Sequence, residues 1–275
     1  ISMYCNEAAL LPKMRDGSKK VLEVHFSKFK RMQYGRKGLW KVVDWWRSQM
    51  DERLVCRYDK FIVLTEEDKG YWSDLPNIDV IPNSISHFPS SPAQLNTHKV
   101  LAVGRYTHQK GFDLLLDAWA LVVKQGPQWS LDIVGDGELR SELEEKIRHL
   151  NLTHSVRLVK VTNQIEQAYQ SASCFVMSSR YEGLPMVLIE AQSFGLPIVS
   201  FACKCGPRDI ITHGDDGYLV EEGDIEALAK HLLYIITNDT LRQSMGRAAQ
   251  LSATRFDETN VMNKWETLFS SLLNK

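Results

Sequence analysis

The sequence predicts an α/β protein: a doubly wound parallel sheet preceded by a second, smaller α/β unit. Three observations carry that expectation. From residue 99 onward, short β-branched runs (KVLAVG, SLDIVG, VRLV, CFVM, PIVS and GYLV) alternate with segments of helical period. Residues 1 to 88 repeat the style less completely, with ISMY, KVLEVH, FIVLT and NIDVIP as strands and helical stretches near 39 to 57 and 66 to 73. Between the two, NSISHFPSSPAQLNTH (83 to 98) is rich in Ser, Pro and Asn and has no period, which marks a linker.

The expected division is therefore a partial α/β domain over 1–88, a larger domain over 89–256 and a closing helix over 257–275. In FDETNVMNKWETLFSSLL (256 to 273), Val261, Trp265, Leu268 and Leu272 recur at helical spacing, so this helix needs a surface to cover, and the first domain is a candidate. A domain of this kind opens with its own first strand and helix, whereas the chain starts directly on ISMY, so a truncated first domain is expected.

Composition sets limits on function. The 275 residues, 44% hydrophobic and 24% charged, suffice for two cores. Lys+Arg 33 against Asp+Glu 34 argues against holding nucleic acid by bulk charge. No apolar run reaches the roughly 18 to 20 residues of a membrane span, and residues 1 to 20 lack the order of a signal peptide. Five scattered cysteines, with Cys203-Lys-Cys205 unaccompanied by a second pair, indicate neither a disulfide framework nor a zinc site. Reduced thiols in a cytoplasm are expected.

The stretch SSRYEGLPMVLIEAQSFGLPIV (178 to 199) sets Glu182 and Glu190 in an otherwise apolar run. Burying a carboxylate is costly unless something pairs with it. Pro185 suits a first helical turn, so a helix is expected from near Leu184, with free amides around Gly183, Leu184 and Met186 at the positive end of its dipole. Glu182 precedes that terminus at the carboxyl end of a strand, where ligands lie in open α/β sheets. Glu190 lies about five residues into the helix, roughly 7.5 Å further on, with nothing nearby in sequence to pair it. Vicinal hydroxyls, such as those of a ribose, would satisfy both its oxygens. The alternative is that Glu182 complements the dipole and Glu190 points to solvent.

Two more motifs bear on that choice. VLAVGRYTHQKGFDLLLDAW (100 to 119) is a strand, then Gly104, Arg105, Lys110 and Gly111, then a helix. Two cations beside a helix N-terminus suit a diphosphate; solvated loop charges are the alternative. LDIVGDGELR (131 to 140) has Gly-x-Gly-x-x-Arg, which lacks the last small residue of the dinucleotide fingerprint. Gly135 and Gly137 are read as letting backbone approach a nucleotide.

GRYTHQKG, VGDGELR, SSRYEGLPMVLIEA and GPRDIITHGDDGYLV, in this order and spacing, resemble the carboxyl-terminal domain of family 4 glycosyltransferases, retaining enzymes of the GT-B fold with Rossmann-like domains. The likeness covers roughly residues 60 to 270. It implies a donor site of Gly104, Arg105, Lys110, Gly135, Gly137, Val161, Glu182, Gly183, Leu184, Pro185, Met186 and Glu190. Arg105 and Lys110 would hold the donor diphosphate, Glu190 the ribose hydroxyls, and Glu182 with the amides after it the transferred sugar. Catalytic roles are expected for Glu182, Arg105, Lys110 and His25, which closes KVLEVH and would face the interdomain cleft unless it is a core histidine. The donor is expected to be a UDP-sugar and the acceptor a glycan or lipid-linked. The sequence has no Asp-x-Asp, so no metal and no further cofactor are expected.

The chain departs from the family at Lys160 in LVKVTN, where members carry glycine before the nucleobase loop, and it has no glycine-rich first loop. HFSKFKRMQYGRKGLWKVVDWWR (25 to 47) carries seven Lys or Arg against one Asp, interleaved with aromatics. It is a candidate contact with an anionic membrane surface on the cytoplasmic side; a solvated basic face with core tryptophans is the alternative. A hydrolase using two carboxylates, a sugar-nucleotide epimerase of the same fold and a non-catalytic nucleotide-binding module are the rival readings.

Overall fold

The computed structural model of the chain describes residues 1–4, 6–28, 38–72, 74–85, 88–161 and 164–274. Residues 29–37 of the basic stretch, and Thr162 and Asn163 beyond Val161, lie outside the described residues.

The first sheet has the order β1-β2-β3-β4, all parallel: Ser2–Met3, Val21–Glu23, Lys60–Val63 and Ile78–Val80. Its helices are α1 (Leu39–Val55) and α2 (Glu66–Tyr71). The second sheet takes the strands β5 (Lys99–Val103), β6 (Ser130–Val134), β7 (Val156–Val159), β8 (Cys174–Met177), β9 (Ile198–Phe201) and β10 (Gly217–Val220). They are ordered β10-β9-β8-β5-β6-β7, again all parallel. Each of the ten runs expected as strands is one. Such strands read as continuous apolar runs because both faces are covered.

Alternation along β5 divides the core of the second sheet. Val100 and Ala102 face one side, packing with Leu115, Leu116 and Trp119 of α3 (Phe112–Val122). Leu101 faces the other, with Leu188 and Ile189 of α6 (Met186–Ser193). Between these helices the chain adds α4 (Arg140–His149) and α5 (Ile165–Gln170); after them come α7 (Pro207–Ile210), α8 (Ile225–Ile236), α9 (Asp239–Ala253) and α10 (Glu258–Leu273).

The order reverses beside β5. The chain runs β5, β6, β7 outward on one side and then crosses to β8, β9, β10 on the other. The carboxyl ends of β5 and β8 thus flank the switch point where open α/β sheets hold ligands.

Helix α10 returns to the first sheet. Val261, Leu268 and Leu272 join Val21, Ile62 and Ile81 in one apolar cluster, while Leu22, Phe61 and Val63 pack with Val55 and Trp72 on the opposite face. Helix α2 bridges to the second unit: the amides of Glu66 and Glu67 donate to Asp209 at 2.6 and 3.3 Å, and Gly206 N–H donates to Glu67 at 3.3 Å. No helix among the described residues is long and apolar enough to cross a membrane.

Leu268 is 6% exposed and Met262, on the same helix, 47%. In urea denaturation, Leu268→Ala is expected to lower the unfolding free energy by about 2–4 kcal/mol, and Met262→Ala by less than about 0.5 kcal/mol.

Candidate active site

The site is built where the loops after β5 and β8 meet. After β5, a 3-10 turn His108–Lys110 ends on Gly111 in the left-handed region (φ 61°), and α3 follows. A Cβ on Gly111 would stand 2.1 Å from the Ser178 carbonyl oxygen, so only glycine allows the loops to come this close. They are then joined by hydrogen bonds. Ser178 Oγ donates to Lys110 O at 3.0 Å, Arg180 N to Gln109 O at 2.8 Å, and Arg180 Nη1 to His108 O at 2.8 Å. Arg180 also makes a two-pronged pair with Asp113 at 2.9 and 2.6 Å.

Within this frame, Lys110 Nζ pairs with Glu182 Oε1 at 2.7 Å, and Gln109 Nε2 lies 3.5 Å from Glu182 Oε2 while donating to Tyr181 O at 2.9 Å. Glu182 is 8% exposed. Its backbone is held from a third side: Glu182 N donates to Lys204 O at 2.6 Å and Cys205 N to Glu182 O at 3.1 Å. Gly206, at φ 96°, packs under Pro185 and Gly183, leaving no room for a Cβ.

Helix α6 starts at Met186, two residues later than the sequence predicts, with Pro185 as its N-cap rather than in its first turn. The amides of Gly183, Leu184 and Met186 donate to no acceptor among the described residues. Glu190 lies in the second turn of the helix, and the structure supplies a partner that local sequence could not show: Tyr169 Oη donates to Glu190 Oε2 at 2.7 Å. Tyr169 is stacked against Phe175 and Phe194. Burial, then the charge of Glu190, push its hydroxyl well above the ordinary value, so it remains a proton donor. Both carboxylates of the quoted stretch therefore have protein partners, where the sequence reading looked to a ligand.

The remaining candidates are spread around this centre. Arg105 is exposed and pairs with no carboxylate among the described residues. Gly104 packs against the Lys110 side chain, which its missing Cβ accommodates. Gly135 and Gly137 have a reason other than ligand approach: a Cβ on Gly135 would meet Gly104 O at 1.9 Å, and one on Gly137 would meet Tyr106 O at 2.5 Å. Val161 is exposed, beside residues outside the description. His25 lies two residues past β2, pairs with Glu23 at 2.9 Å, and lines a narrow cavity with Thr65, Asp68 and Gly183. A Cβ on Gly183 would stand 3.0 Å from His25 O.

Sequence reasoning missed Gln109, Tyr169 and the Asp113–Arg180 pair. Gln109 and Asp113 sit inside the quoted motif around Lys110, and that position was their only local signal. Among the described residues, no group of three or more His, Cys, Asp or Glu side chains is placed to hold a metal ion.

Two parallel-sheet α/β units, the larger doubly wound, give the chain a GT-B-like architecture. Residues 83–252 match the family described as glycosyl transferases group 1, and the chain belongs to it. It is 40% identical over 223 residues to the amylovoran biosynthesis glycosyltransferase AmsD of Erwinia amylovora, covering 77% of this chain and 62% of that one. It is 35% identical over 216 residues to an uncharacterized glycosyltransferase of Haemophilus influenzae, covering 77% and 61%. The chain thus spans about three fifths of the length of these curated relatives. A crystal structure of a Staphylococcus aureus TarM mutant in complex with Fondaparinux, alpha-GlcNAc-glycerol and UDP superposes with a TM-score of 0.80 at 25% identity, over 92% of this chain and 51% of TarM.

Burial works against the charge of Asp113, but the Arg180 guanidinium outweighs it, by hydrogen bond and by charge, and holds the carboxyl below its ordinary value of 3.8. A depressed folded value means the stabilisation is complete above about pH 4 and is lost as pH falls through the folded value. Asp113→Asn is accordingly expected to lower the melting temperature at pH 7. Melting curves should keep the gap between the two proteins down to about pH 4 and close it below.

Proposed function

We propose that the chain is a family 4 retaining glycosyltransferase that moves a sugar from a UDP-sugar to a glycan or lipid-linked acceptor, without a metal ion. The observation that carries this reading is the Lys110–Glu182 pair at the switch point, beside the amides of Gly183, Leu184 and Met186, which are unengaged among the described residues. A cation, a helix terminus and a held carboxylate at one strand edge suit a sugar attached to a diphosphate. UDP and the glycan ligands bound by TarM are of the same chemistry.

In this reading Arg105 and Lys110 meet the diphosphate and stabilise the charge that grows on it as the glycosidic bond breaks. Glu182 and the amides following it hold the transferred sugar, His25 approaches that sugar from the first unit, and Glu190 accepts from the ribose hydroxyls. Gly104, Gly135, Gly137, Val161 and Pro185 shape the donor site. Cys56, Cys174, Cys203 and Cys205 are unpaired, which fits the reducing cytoplasmic compartment proposed for the reaction.

A ligand that binds only the folded chain raises its melting temperature by mass action. UDP is expected to give a larger shift than GDP or ADP. Arg105 is exposed and has no ion-pair partner among the described residues, so Arg105→Ala should leave the ligand-free melting temperature within about 1 °C and erase the UDP shift. A shift that survives in Arg105→Ala refutes the assignment. Lys110→Ala should also erase it, and should lower stability by up to about 3 kcal/mol because Glu182 loses its cation.

Metal independence has its own test. Transfer should continue in EDTA, and transfer that stops in EDTA and returns with magnesium would overturn it.

A further inference from the structure

The second unit carries a groove on the side away from the crevice. In a parallel sheet each crossover helix runs back toward the amino ends of the strands. From Phe112 to Val122, α3 therefore carries the chain roughly 15 Å from the carboxyl edge where Lys110 and Glu182 meet. Where α3 ends, a cavity of about 720 Å³ opens between it, α8 and the edge strand β10. That lies within the roughly 300–1,000 Å³ of small-ligand sites. Its lining residues all fall between 121 and 237, inside the family-matched segment.

The walls of the groove are rings. Tyr218 and His231 lie face to face, with 4.3 Å between centroids and 27° between planes, and Tyr234 stands tilted beside them, 6.0 Å from Tyr218. His213 backs the stack edge-on, 5.4 Å from Tyr218, and its Nδ1 is fixed by accepting from Leu219 N–H at 3.1 Å. Burial, then the neighbouring His213 and Lys230, hold His231 below its ordinary 6.5, so its ring is uncharged at pH 7. Leu121 and Leu233 complete the apolar lining, and Tyr234 is 51% exposed.

The rim is polar and uncommitted. Lys124, Gln125, Glu226 and Lys230 border the groove, and none of their side chains is engaged in a hydrogen bond or ion pair among the described residues. Glu226 and Lys230 stand one helical turn apart, a spacing that favours a pair, yet they are not joined. The rim thus sets donor-only ammonium groups beside an acceptor-only carboxylate.

That set selects its occupant by chemistry. An anion would suit the two lysines but meet the Glu226 carboxylate, and a cation would meet the reverse. A hydroxyl accepts from the one and donates to the other. Flat rings call for an apolar face, because their negative π-surface attracts weakly polarised C–H groups. A pyranose ring combines the two, with C–H bonds on a face and hydroxyls around its edge.

We infer that this groove is a second carbohydrate site, which holds a pyranose unit of a neutral glycan against Tyr218 and Tyr234, with the sugar hydroxyls on Lys124, Gln125 and Glu226. The site is separate from the donor crevice, and the inference does not rest on the transfer reaction.

The test is saturation-transfer difference NMR of the 275-residue chain with the methyl α- and β-glycosides of glucose, galactose and N-acetylglucosamine. At least one glycoside is expected to take up saturation, most strongly at the C–H protons of one ring face. Tyr234→Ala is expected to weaken its binding about tenfold and, because this ring is half exposed, to melt within about 2 °C of the parent. Should that variant fail to fold, Lys124→Ala/Glu226→Ala, at exposed side chains, takes its place with the same expected loss. Arg105→Ala, which alters only the crevice, is expected to leave the signal in place. Binding that is lost in Arg105→Ala but kept in Tyr234→Ala puts the sugar in the crevice and overturns the inference, while leaving the proposed transfer standing. Saturation transfer to none of the glycosides, unchanged binding in the groove variants, or transfer to uridine in place of the glycosides overturns it as well. So does a concentration-dependent dimer that Tyr234→Ala dissolves without any glycoside binding.

Discussion

A carboxylate removed from water at the carboxyl edge of a parallel sheet must be answered by a charge, and the pairing of Glu182 with Lys110 meets that demand. The two residues come from loops after β5 and β8, strands that are neighbours in space though more than seventy positions apart in sequence. A pair this buried adds little net stability, but either member left alone would be costly. The surrounding contacts are what hold it in register. Gly111 removes the Cβ that would keep the loops apart, Ser178 and Arg180 bind the loop of Lys110, and Asp113 fixes Arg180 in turn.

The same loop is tied to the other sheet. Residues 204–206 hold the backbone of Glu182 on one side and reach α2 on the other, through Gly206 N–H to Glu67 and Cys205 Sγ to Asp68. Asp209 completes a reciprocal arrangement by accepting from the first two amides of α2, groups no helix can satisfy internally. Burial raises the Asp209 carboxyl, and the two amides pull in the opposite direction. A relative displacement of the units would therefore be felt at Glu182 through one short segment.

What the sequence disclosed, and what it hid, follows from the range of the interactions. Strands of a parallel sheet are apolar on both faces, so CFVM or PIVS can be recognised without knowing their neighbours. The start of α6 was displaced by two residues because the φ of Pro185 (−74°) suits a cap as well as a first turn, and its extended ψ of 90° makes it the cap. Gly135 and Gly137 stood out as special, but they face Gly104 and Tyr106 of a loop that only the fold brings near. Tyr169 had no signal at all, since a partner 21 residues away is a tertiary fact. For α1, periodicity shows that two faces differ but not which one the protein covers. Asp44 and Ser48 inside, with Trp45 and Trp46 outside, is the less usual outcome.

The two glutamates of 178–199 end with unlike partners, and that difference bears on the cations around them. Glu182 is neutralised by an ammonium and has both oxygens near donors. Glu190 is held by a neutral hydroxyl that burial keeps protonated, and its Oε1 has no hydrogen bond among the described residues. A neutral hydroxyl donor suits such an oxygen better than an anion would. For an anionic group the position of Lys110 is already shared with Glu182, whereas Arg105 has no competing carboxylate among the described residues. Any anion entering this crevice would therefore compete with Glu182 for Lys110, but with no carboxylate among the described residues for Arg105.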